Sequence, residues 1–134
     1  MVETPEADRM PFTARSAQAV MMVQGMLTLL GGVSLLFFVL GTQGDPGLAG
    51  IGLPLVSIVL ALLICWAAVK WSSRRARMWT VAVLLEGLLL SSFVATVVTD
   101  PEFRLGIGDG LSILMPAAAF LLLVLPTTRS WFNR

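Results

Sequence analysis

Four long apolar runs, Ala17 to Leu40, Leu48 to Val69, Met78 to Val98 and Ile107 to Leu125, occupy most of this 134-residue chain. An α-helix rises about 1.5 Å per residue, so roughly 20 apolar residues cross the hydrocarbon core of a bilayer. Hydrocarbon offers no water to unpaired backbone groups, and a helix bonds all of its own within one segment. The runs therefore predict an all-α integral membrane protein, a four-helix transmembrane bundle with up-down-up-down topology. Composition agrees: 57% of residues are hydrophobic and 13% charged, and the mean hydropathy of +0.88 is far from that of an ordinary soluble domain. No stretch outside the runs is long enough to bury a core of its own. One transmembrane domain, residues 17–126, is expected between an N-terminal segment, 1–16, and a C-terminal tail, 127–134. The first run is longer than the apolar core of a signal peptide and lacks a small-residue cleavage site after it, so it reads as a retained anchor.

The charges orient this bundle. Arg9 and Arg15 precede the first run, Lys70, Arg74, Arg75 and Arg77 fill the second loop, and Arg129 and Arg134 follow the fourth run. Arg104 alone falls on the other side. Basic residues collect on the cytoplasmic face, which predicts a multi-pass protein of the plasma (inner) membrane with both termini in the cytoplasm. Trp66, Trp71, Trp79 and Trp131 lie toward the same boundary and are expected to act as interfacial anchors, each with its ring among headgroups and its N–H in water. Topology alone accounts for the basic loop, so the expected partners are the lipid bilayer and other transmembrane helices, with no nucleic acid.

Against this background Glu86 is the exception. It is the one ionisable side chain well inside any run, where a carboxylate costs about 2.5–3.5 kcal/mol on insertion scales. Gln24 stands nine residues after Arg15 and Glu86 nine after Arg77, so both sit about 13 Å above the cytoplasmic arginines. A protonated Glu86 can donate and accept, which makes Gln24–Glu86 a candidate interhelical pair. The alternative is a proton site facing a cavity.

The matched depth belongs to a wider self-similarity. Arg15, Gln24, Gly25 and Leu27 align with Arg77, Glu86, Gly87 and Leu89, and Asp45-Pro46 before Gly50-Ile51-Gly52 aligns with Asp100-Pro101 before Gly106-Ile107-Gly108. Two parallel helical-hairpin repeats would produce this pattern. Small residues at four-residue intervals, Gly87, Ser91 and Ala95 on the third run and Ser57, Ala61 and Cys65 on the second, form candidate helix-packing stripes. A stripe left unused within the chain would serve as an interface between subunits. Pro54 and Pro116 lie inside runs and predict kinks.

Other chemistry finds little support. Gly106-Ile107-Gly108-Asp109 spells the GxGD signature of intramembrane aspartyl proteases, but that mechanism needs two aspartates sharing a proton inside the membrane, and the runs contain no second one. Asp109 reads instead as an acid in the first turn of its helix. There is no His, no Tyr and a single Cys, so histidine relays, bis-histidine haem ligation, zinc sites and an internal disulfide are excluded. Met22 and Met26, one turn apart, read as packing. The Gly-rich outer loop lacks the lysine of a phosphate-binding loop. No metal and no cofactor is expected.

The function expected from this set is non-enzymatic: a small integral membrane protein acting by helix packing, as a homo-oligomer or as an accessory or assembly subunit of a larger membrane complex. The alternative is a proton-coupled small-molecule transporter using Glu86. In outline, with four spans and one membrane-embedded Glu, the chain is similar to the small multidrug exporters, and that resemblance implies a dimer with Glu86 as the proton site. It departs from them in carrying the carboxylate on the third span rather than the first, and in having no Tyr. A third possibility, an interfacial lipid enzyme, would have to recruit Asp100, Glu102, Asp109 and Arg104, which loop solvation explains.

Overall fold

The computed structural model describes residues 9–42, 47–73, 75–99 and 106–132. Outside it lie residues 1–8, residues 43–46 with Asp45 and Pro46, Arg74, residues 100–105 with Asp100, Glu102 and Arg104, and residues 133–134 with Arg134. The side chain of Asp109 is likewise outside it. The described residues form five helices and no strand: α1 (Phe12–Gly41), α2 (Gly47–Val69), α3 (Ala76–Thr99), α4 (Ile107–Val124) and α5 (Pro126–Phe132), with a 3₁₀ turn at Lys70–Ser73 after α2. Among them, α1, α2 and α3 are long and apolar enough to cross a membrane, and α4 with α5 makes a fourth candidate if the bent pair is one span. Phe12, Phe37, Phe38 and Leu48 are among many large apolar side chains left exposed. So large an apolar perimeter is compatible with a multi-pass membrane protein and foreign to a soluble monomer.

Each boundary has a local cause. Pro11 stands at the N-cap of α1, where its missing N–H is of no consequence. Gly47 opens α2 with φ +62°, a left-handed conformation that glycine adopts without steric penalty. At the other end of the fold Pro126 has no N–H to give the Leu122 carbonyl, and the chain turns through 67° into α5. The fourth run therefore does not run out into a tail. Residues 127–132 belong to the helical body, with Thr128, Trp131 and Phe132 buried.

The helices pack in the cyclic order α1, α2, α3, α4, with α1 held most closely between α2 and α4, and α2 touching α3 only lightly. Thus α1 and α3 face each other across the bundle. The core gathers at one end, where Ala14, Ala17 and Met21 of α1 meet Ile64, Ala67 and Ala68 of α2, Trp71, Ala82 of α3, Ala119 and Leu123 of α4, and Trp131 and Phe132. Trp71 and Phe132 stack edge to face, ring centroids 5.0 Å apart. Exposed Arg15, Arg75, Arg77 and Arg129 surround this same end.

Two side chains finish the helices that end there. Helix C-termini leave carbonyls without intrahelical partners. Gln18 of α1 donates from Nε2 to the Ala68 carbonyl of α2 at 2.8 Å, and Trp79 of α3 donates from Nε1 to the Leu123 carbonyl of α4 at 2.9 Å. Trp79 also lies under the Arg129 guanidinium, 5.5 Å from its ring centroid. Trp79→Phe keeps a ring for Arg129 but removes the donor, and is expected to lower stability by about 0.5–1.5 kcal/mol in a denaturant titration of the detergent-solubilised protein.

Candidate functional site: a buried Gln24–Glu86 tie beside a cavity

Glu86 is fully buried, and Gln24 retains only 6% of its surface. The Gln24 Nε2 donates to Glu86 Oε2 at 3.1 Å. Since α1 and α3 are opposite members of the ring, this bond crosses the bundle axis, a gap that short side chains do not bridge. Both residues are long enough to meet in the middle, and their matched height leaves little offset along the axis. Met21 stands three residues before Gln24 and Ala82 four before Glu86, and both belong to the core at the arginine-ringed end.

The pair is under-satisfied. Gln24 Oε1 and Glu86 Oε1 are both buried with no hydrogen-bond partner. The tie thus holds two acceptor oxygens that no donor among the described residues meets. Such a bond in membrane proteins contributes about 0.6–2 kcal/mol.

Immediately beyond the tie, on the side away from the arginines, lies a half-open cavity of about 310 Å³. Its wall is made by Gln24, Leu27 and Thr28 of α1, Leu89, Ser92 and Phe93 of α3, and Leu111, Ser112, Met115 and Pro116 of α4. The α1 and α3 contributions follow from helical spacing: Leu27 and Thr28 stand three and four residues after Gln24, while Leu89 and Phe93 stand three and seven after Glu86. Glu86 itself stays behind Gln24 and does not reach the wall. Thr28, Ser92 and Ser112 are hydroxyl residues in apolar runs, and the sequence alone does not mark them as neighbours. Thr28 alone carries a signal, standing four residues after Gln24 on the same helical face.

The two small-residue stripes fare differently. Ser57, Ala61 and Cys65 of α2 lie against Gly25 and Gly32 of α1: a Cβ on Gly25 would stand 2.6 Å from Cys65 Sγ and 3.4 Å from the Ala61 carbonyl oxygen, and one on Gly32 would stand 3.0 Å from Ile58 Cγ1 and 3.4 Å from Ser57 Cβ. On α3, Ser91 and Ala95 are exposed, and a Cβ on Gly87 would meet only Phe120 at 3.9 Å. The aligned glycines Gly25 and Gly87 therefore occupy unlike surroundings, and the two hairpins pack unequally. Among the four tryptophans, Trp66 is exposed and Trp79 half-buried, whereas Trp71 and Trp131 are enclosed in the core. Those two indoles are covered by protein rather than left on its surface. Among the described residues no group of His, Cys, Asp or Glu is placed to hold a metal.

No protein-family model, curated protein or solved structure matches this chain.

Proposed function

We propose that this protein is a non-enzymatic, multi-pass protein of the plasma (inner) membrane, its termini cytoplasmic, that acts through helix packing as a homo-oligomer or as an accessory subunit of a larger membrane complex. The burial of Glu86 behind Gln24 carries this reading. A carboxyl group enclosed by helices and hydrogen-bonded across the axis serves as a tie that sets how α1 and α3 face each other. The α2 stripe is engaged within the chain. Ser91 and Ala95 of α3 are left on the outside, where small residues let a further transmembrane helix approach closely.

The test is mild extraction followed by mass measurement of the detergent-solubilised complex, comparing the natural chain with Ser91→Phe/Ala95→Phe. A homo-oligomer or a stoichiometric partner is expected for the first and loss of that species for the second, with helical content unchanged. Recovery of the natural chain as a monomer, alone, would overturn the reading.

A second reading, proton-coupled transport, draws support from the cavity that ends at Gln24. Proteoliposome flux separates the two. Glu86→Gln keeps hydrogen-bonding groups but no titrating proton, so a carrier loses its proton-driven flux while a tie leaves assembly intact.

A further inference from the structure

The cavity beside Gln24 is lined by more than hydrocarbon. Six of its ten wall residues are apolar in the strict sense, Leu27, Leu89, Phe93, Leu111, Met115 and Pro116, and the rest are an amide and three hydroxyl residues. No charged side chain contributes to the wall. Its 310 Å³ is at the lower end of the range in which proteins hold small molecules, about 300–1,000 Å³. An apolar wall with a few converging polar groups selects an amphipathic guest.

The polar end of that guest is specified by Gln24. This side chain is 94% buried, since 6% of its surface remains, it lines the cavity, and its Oε1 has no partner. Its Nε2 gives one N–H to Glu86 and keeps a second, since a primary amide carries two donors. A guest whose polar end is a hydroxyl, able both to donate and to accept, can meet that amide. Met115 and Phe93 supply an adaptable and a flat apolar surface for the remainder of the molecule.

We propose that the cavity is a binding site for a small, predominantly apolar molecule bearing one hydroxyl group, such as an aliphatic alcohol, with the hydroxyl directed to the Gln24 amide. The site adjoins the tie between α1 and α3, because the same amide serves both.

The experiment uses the full chain in phosphatidylcholine nanodiscs with ¹⁵N-glutamine. Side-chain amide signals of Gln18, Gln24 and Gln43 are followed while 1-octanol or n-octane is added to equal membrane concentration. The expected result is a saturable shift of the Gln24 signal with octanol, with half-saturation about tenfold lower than for octane, and little movement at Gln18. Ser112→Phe, which places a ring in the cavity from α4, should abolish the saturable shift. Thr28→Leu, which narrows the cavity from α1, is the second obstruction if the first does not fold. A non-saturable shift, equal response to octane, or a shift that persists in a folded obstructed variant would each overturn the proposal.

Discussion

Gln24→Leu is expected to destabilise the protein by about 1–3 kcal/mol, the cost of leaving a buried polar group without its partner, when unfolding is followed by denaturant titration in mixed micelles. Leu preserves the bulk and removes the amide, so Glu86 on α3 is left enclosed with neither a donor nor water. The converse change, Glu86→Leu, strands a neutral amide rather than an acid and should cost less. Replacing both with Leu removes the polar problem altogether, and the double variant is expected to recover most of the stability lost in Gln24→Leu. A buried pair can be neutral or even unfavourable relative to apolar residues of similar shape, while either half alone is harmful. A loss in the double variant equal to the sum of the two single losses would show that the two side chains do not depend on one another, and the tie across α1 and α3 would then carry no energetic weight.

The amino-acid sequence discloses only part of this arrangement. Helices long and apolar enough for a membrane are readable because length and hydropathy are local properties, and a carboxyl group in such a run stands out by its cost. The common depth of Gln24 and Glu86 can be counted along two helices. That the two lie on opposite members of the ring, and so bond across the axis, depends on helix order in space, which no count along the chain supplies. Short elements were concealed for a different reason. Pro126 reads as a stop, and the seven residues of α5 are too few to display a period, so the burial of Thr128, Trp131 and Phe132 has no sequence signature.

Helix packing shows the limit most clearly. Four-residue spacing drew attention to Ser57, Ala61 and Cys65, yet their counterparts on α1 are Gly25 and Gly32, a heptad apart. One glycine per two turns resembles ordinary composition in an apolar run. The cavity is still less legible, since it arises from what three helices fail to fill around Pro116.

Gly25 yields the second large effect. A methyl group there would stand 2.6 Å from Cys65 Sγ, with Ile64 Cγ2 at 3.3 Å and the Ala61 carbonyl oxygen at 3.4 Å. Gly25→Ala must therefore push α1 from α2 or force Cys65 out of its place, and overpacking of this kind costs about 1–3 kcal/mol. The nearest obstacle is one sulfur atom, which makes the effect reversible at a second site. Cys65→Ala removes that atom at a cost of its own, about 1 kcal/mol for a small vacancy, but in the background of Gly25→Ala it should restore stability rather than reduce it further. The measured quantity is the coupling in a double-mutant cycle, expected to be favourable by at least about 1 kcal/mol. Gly31→Ala serves as the reference: nothing lies within 4 Å of its new methyl group, and alanine is the better helix former by about 0.5–1 kcal/mol. Independent, additive effects of Gly25→Ala and Cys65→Ala would mean that α1 and α2 do not meet at this point, and with that contact would go the close α1–α2 approach beside Gln24.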